Sequence, residues 1–147
     1  MTSAIPAAIP ALVVMAGQVL PVDAHGDAVQ VMDGPAAVWP EQEYVAIGLS
    51  PNDFDNPGTR AAAGLETSLD DAEVIGMIRA WSGDDDIAPL RTRAYELFDA
   101  LVAGTDDDRR LGGAVDYAEV TSCIYAPGAS PRGRWVDLVI AWTVRKF

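Results

Sequence analysis

The last thirteen residues constrain the fold more than any other stretch. From Trp135 to Phe147 the chain alternates with a period of two. Val136, Leu138, Ile140, Trp142 and Val144 fall on one face; Trp135, Val139, Ala141 and Phe147 make most of the other. A strand with two apolar faces is unstable alone in water and needs partner strands and covering layers. Ala114 to Tyr125 reads as the strand before it, and Ala126 to Gly133 as a long hairpin loop between the two. So short a connection predicts antiparallel pairing.

A second two-sided strand spans Ala72 to Trp81. Val74, Ile78 and Ala80 share one face with Gly76, and Ile75, Met77 and Trp81 occupy the other. Apolar character on both sides predicts a central position. Earlier in the chain, residues 28–34 and 43–48 carry shorter strand patterns bounded by Asp33-Gly34-Pro35 and by Ser50-Pro51-Asn52-Asp53.

Two segments carry the helical period instead. Ile87, Leu90, Ala94, Leu97 and Leu101 step by three and four, with Tyr95, Phe98 and Val102 widening the stripe. Ser82 to Asp86 offers capping side chains and negative charge for the positive end of the helix dipole. The expected start is Asp85 or Asp86, with Pro89 in the first turn and Gly104 as the C-terminal glycine. The other helix is expected from near Pro10 to Leu20, with Pro21 stopping it. Residues 50–70 show no period and read as one long loop, the kind that serves binding or stays disordered.

The order is helix, two strands, loop, strand, helix, two strands. It predicts an α+β fold: a mostly antiparallel sheet of about five strands packed on one face by two helices, in a single domain over residues 1–147. A chain of this length buries roughly 70% of its unfolded surface and needs no disulfide or metal staple.

Charge narrows the partners. The chain has 22 Asp+Glu against 10 Lys+Arg, a net charge of −12. Such a surface repels duplex DNA, because phosphate binding requires Lys and Arg to displace counterions. The nine arginines are scattered and form no basic stripe. The apolar N-terminus resembles a signal peptide but has no Lys or Arg before Arg60. It is broken by prolines and too short to span a bilayer, so a mature helix and a cytosolic site of synthesis are expected.

Motifs for catalysis are weak. The single cysteine, Cys123, sits in a strand pattern and reads as a small packing residue. His25, the sole histidine, lies between Asp23 and Asp27, so a histidine–carboxylate base is conceivable there. No nucleophile elbow, phosphate loop or dinucleotide fingerprint accompanies it. Asp84-Asp85-Asp86 lacks the spacing of a calcium loop and reads as helix capping; Asp106-Asp107-Asp108 reads as a solvated turn. No catalytic residue, cofactor or metal ligand is expected. Four tryptophans exceed what a small monomer needs; core packing and subunit contact explain them equally well.

The ordered landmarks carry a family resemblance. They are Val31-Met32-Asp33-Gly34-Pro35, Val45-Ala46-Ile47-Gly48, Ala80-Trp81-Ser82-Gly83-Asp84 and Arg91-Thr92-Arg93-Ala94. Leu111-Gly112-Gly113-Ala114-Val115, Ala118-Glu119-Val120 and Val139-Ile140-Ala141-Trp142-Thr143-Val144-Arg145 follow. Over about Val29 to Lys146 this resembles the tail terminator (tail completion) proteins of siphophages and of prophages in high-GC bacteria. The Pro-rich apolar N-terminus departs from that pattern.

The resemblance implies a structural virion protein of the tail neck, made in the host cytoplasm. It implies a homo-hexameric ring on the last ring of the major tail-tube protein, which ends tube polymerisation. The same ring offers a surface to a head-completion connector, and DNA passes through the lumen without sequence-specific or membrane contacts. The two loops supply the candidate partner residues: Asp53, Phe54, Asp55 and Arg60 in the first, Arg132 and Arg134 around the second. Another head–tail joining protein is the nearest alternative, and a small hydrolase or ligand-binding domain using His25 is the more distant one.

Overall fold

The computed structural model describes residues 4–23, 25–36, 42–50, 53, 71–83 and 86–146. Among them are helix α1 (Ile5–Val19), strands β1 (Gln30–Asp33), β2 (Tyr44–Ile47) and β3 (Asp71–Ser82), helix α2 (Ala88–Asp107), a 3-10 turn at Leu111–Gly113, and strands β4 (Tyr117–Ser130) and β5 (Gly133–Arg145). The strands form one sheet in the order β1-β2-β3-β5-β4. Only β1 and β2 run parallel; the three other pairings are antiparallel. The fold is α+β, as the period analysis predicts, and β3 is central.

The faces follow the alternation. Val136, Leu138, Ile140, Trp142 and Val144 of β5 join Ala72, Val74, Ile78 and Ala80 of β3 in the main core beneath the helices. Trp142 is fully buried, and its ring lies against Gly76, where an added Cβ would come within 2.8 Å of the indole. Its indole Nε1 donates to Thr105 Oγ1 at 3.2 Å, and that hydroxyl donates to Leu101 O at 2.8 Å, tying α2 to the sheet. The opposite face carries a second apolar cluster of Tyr44, Ala46, Leu49, Ile75, Met77 and Val139, with Met32 packed against it.

Helix α2 buries Leu90, Ala94, Leu97 and Leu101, the expected stripe. Its ends differ from expectation. It begins at Ala88, after an Ile87 N-cap, rather than at Asp85 or Asp86. The later start puts Pro89 at the second position of the helix, where no amide donor is needed. Asp86 still contributes, its Oδ1 accepting from Ala88 N at 3.1 Å.

Gly104 is no terminal glycine, since α2 runs on to Asp107. It is buried against α1, and a Cβ there would sit 2.7 Å from Met15 Sδ and 2.9 Å from Val19 Cγ1. The glycine lets two helices approach closely. Helix α1 likewise starts at Ile5, five residues before the expected Pro10. Pro6 takes the first turn, and Pro10 lies inside the helix on its exposed side, where water can satisfy the acceptor its missing N–H leaves. Leu20 is extended and ends the helix before Pro21, the conformation a following proline favours.

The long loop expected at Ala126 to Gly133 is absent. Strand β4 continues to Ser130, β5 starts at Gly133, and Pro131 and Arg132 alone make the turn. Pro127 and Gly128 suggested a loop, yet both are tolerated in a strand at the sheet edge. Gly128 also makes room for the Trp135 ring, which lies directly against it.

Candidate assembly interface

Strand β4 forms one edge of the sheet; among the described residues no strand pairs with its outer side. It is 14 residues long, roughly 45 Å at about 3.4 Å per residue. An edge of that length exposes a row of backbone donors and acceptors and is a template for a further strand. Natural edges are usually blunted by charge. Here Val120 to Ser130 contains no Asp, Glu, Lys or Arg, in a chain whose residues are 22% charged. The interruptions are a bulge between Val120 and Ser122 and the proline at Pro127. Ser122 to Ala126 is therefore the open stretch.

Beyond Ser122 the side chains along that stretch are apolar or aromatic. Ile124 and Tyr125 are each 37% exposed on opposite faces of the strand, and Tyr95 of α2 is 38% exposed. Tyr95 meets Phe98 edge to face at 6.1 Å. Arg91 donates from Nε to the Tyr125 hydroxyl at 3.3 Å, its guanidinium 5.9 Å from the ring centroid. Arg91, Tyr95 and Tyr125 thus form a rim of the residue types that dominate protein interfaces. Burial pushes the Tyr95 phenol above its ordinary value, with Cys123 and Tyr125 adding to the effect. Cys123 faces α2 and is half-buried; burial first, then the Asp99 carboxylate, pushes its thiol up to about 11. Such a thiol is a packing group rather than a nucleophile at neutral pH.

The beginning of β4 is closed differently. The Tyr117 hydroxyl donates to Glu119 Oε2 at 2.7 Å and accepts from Arg109 Nη1 at 2.7 Å. Arg109 also pairs with Asp106 at 3.1 Å. Charge at that end is matched within the chain, which confines the unprotected edge to the hairpin half.

The six residues singled out from the sequence do not form one site. Phe54, Asp55 and Arg60 lie outside the described residues, as does most of the segment 50–70. Asp53 closes a turn: its Oδ2 accepts from Ser50 N at 2.7 Å and Ser50 Oγ at 3.1 Å. That turn follows β2, near the level of Gly76 on β3. Arg132 is exposed in the hairpin turn, and Arg134 sits in β5 between Ala129 and Ser82, at the opposite end of the sheet. Arg134 is thus a strand residue rather than a loop residue. The exposed edge itself had a sequence signal, eleven residues without a charge, which the loop reading of Pro127 and Gly128 obscured.

A second feature missed by sequence lies on the cluster side of the sheet. Arg79 and Asp137 are register partners on β3 and β5 and pair through Nε–Oδ1 at 2.7 Å and Nη2–Oδ2 at 2.8 Å. The Arg79 guanidinium lies 5.1 Å from the Trp135 ring centroid and 5.8 Å from that of Tyr44.

Around His25 the geometry serves a turn. The Asp23 carboxylate accepts from His25 N at 2.8 Å and Asp27 N at 2.9 Å, and these bonds, the Asp27 one foremost, hold it below the usual carboxylate range. A neighbouring cleft of about 410 Å³ is lined by Asp23, His25, Gln30, Gln42, Glu43 and Trp81. Glu43 is engaged by Arg93 at 2.9 Å, and Arg93 further donates to Val22 O at 2.8 Å. Asp23 is thus occupied by the backbone amides of the turn and Glu43 by Arg93.

Among the described residues, no three His, Cys, Asp or Glu converge as a metal site, and no helix is long and apolar enough to cross a membrane. No protein-family model matches the chain, and a search of curated proteins finds no match.

Proposed function

We propose that this chain is a structural subunit that assembles edge to edge into a ring and caps the tail tube of a long-tailed phage. The observation that carries the reading is the uncharged outer edge of β4 with its apolar and aromatic flanks. A ring needs a heterologous contact, in which one surface of a copy meets a different surface of the next. Strand β4 supplies one such surface, and β1 is the edge at the other side of the sheet. The resemblance to tail terminators supplies the context: a hexamer on the last tube ring, the tube protein beneath and a head-completion connector above. With a net charge of −12 per copy, an acidic lumen wall would let DNA slide past without adhering.

Electron microscopy of the purified protein mixed with tail-tube subunits tests this. Tubes of limited length, each ending in a ring of this chain, are the expected result. The variant Ile124→Lys places a charge on the edge and should leave a folded subunit that caps nothing. Tubes that grow without limit and carry no bound wild-type protein would refute the reading.

A further inference from the structure

Helix α1 has an outward side that no other described residue covers. From Ile5 to Val19 it contains no charged residue. Ala8, Leu12, Met15 and Ala16 face the core, whereas Pro6, Pro10, Val14 and Gln18 recur every fourth position along the exposed side. Val14 is 59% exposed, the most exposed large hydrophobic side chain among the described residues. A surface helix ordinarily carries charge on its solvent side.

Beside this stripe runs a groove of about 620 Å³. Ala7, Ala11 and Val14 line one wall, and Gly104, Asp107 and Asp108 line the other, at the C-terminal end of α2. That end is unusual in charge. A helix C-terminus carries partial negative charge and is stabilised by cations, yet the last turn of α2 holds none. It carries Asp106 and Asp107 instead. Asp106 is matched by Arg109 at 3.1 Å. Asp108 is occupied by the turn amides, accepting from Arg110 N at 3.2 Å and Gly112 N at 2.7 Å. Asp107 is exposed and has no partner among the described residues. An apolar stripe therefore lies against Asp107 and the negative end of the α2 dipole, and no described side chain pairs with that carboxylate.

We infer that this groove receives a basic amphipathic segment of a different protein. Its aliphatic side chains would cover Val14 and Ala11 while a Lys or Arg reaches Asp107 and the end of α2. Charge complementarity favours such an occupant over a second copy, which would bring a net charge of −12 to the same place. The groove shares no lining residue with β4, so this docking stands whether or not copies of the chain form a ring.

Fluorescence anisotropy on the full chain tests the inference, with a labelled synthetic helix of about 18 residues, long enough to be helical. The helix carries leucine on one side and lysine on the other; a twin has glutamate in place of lysine. The lysine peptide should bind and the glutamate peptide should not. Val14→Glu and Asp107→Lys should each weaken binding about tenfold or more, as loss of an anchor or a desolvated charge does. Asp27→Lys, the same charge change outside the groove, should leave binding unchanged. Asp107→Lys places a cation at a helix C-terminus, so its thermal melting should be unchanged or raised, which separates lost docking from lost folding. Equal binding by Val14→Glu, Asp107→Lys and wild type would reduce the attraction to general acidity and overturn the inference. Self-association in sedimentation that Val14→Glu abolishes would also overturn it, because a second copy would then fill the groove.

Discussion

At the scale of the residue, the Arg79–Asp137 pair is the most consequential contact that the sequence conceals. Asp137 interrupts an apolar strand, and a lone carboxylate there reads as a solvent-facing position. Its side chain is in fact only 3% exposed, and that of Arg79 15%. The pair forms because register puts them directly opposite each other, and register between β3 and β5 depends on contacts far apart in the chain. Removing one member takes the opposite charge away from a partner that stays largely out of water, which costs more than the pair itself contributes. Asp137→Ala should therefore destabilise by about 3–5 kcal/mol in urea denaturation. The double replacement Arg79→Met with Asp137→Leu should recover most of that loss. If the single and double variants unfold at the same denaturant concentration, the charge pairing is not what holds this part of the sheet.

At the scale of the element, periodicity was legible and termini were not. The α2 stripe and the two-sided strands β3 and β5 could be read because each face repeats the same instruction several times. Helix ends rest on single residues with two possible meanings. Gly104 fits a C-terminal glycine by position, but its role is close approach to α1 through Met15 and Val19, a contact no local pattern encodes. Pro127 and Gly128 fit a loop by composition, yet edge placement and the Trp135 ring keep them in a strand. The candidate interface shares this ambiguity: Ala114 to Tyr125 reads as a strand, but its continuation to Ser130 reads as a loop, and no local pattern says that the strand lies at the edge of the sheet. Two substitutions separate repeated from single signals. Leu97→Ala empties a fully buried site and should cost about 2–5 kcal/mol. Gly104→Ala adds one methyl group, yet should cost about 1–3 kcal/mol because Val19 must yield along with the more flexible Met15. A chemical-denaturation midpoint for Gly104→Ala equal to or above that of wild type would restore the simple terminal reading of the glycine.

For the whole molecule, the distribution of charge separates the two proposed surfaces and predicts opposite responses to salt. Each copy carries −12, so copies approaching edge to edge repel one another across the distance over which charge is felt, about 8 Å at physiological ionic strength. The β4 edge offers apolar contact and backbone bonds, neither of which salt weakens appreciably. Raising salt from about 0.05 to 0.3 M shortens the reach of repulsion and should increase the fraction of chains in rings, as measured by analytical ultracentrifugation or by the number of capped tubes. The α1–α2 groove should behave the other way, since attraction between Asp107 and a cationic segment is screened by the same ions. An edge that loses association as salt rises would have to be held by opposite charges. The uncharged stretch from Val120 to Ser130 cannot provide them, so that outcome would move the self-contact away from β4 altogether.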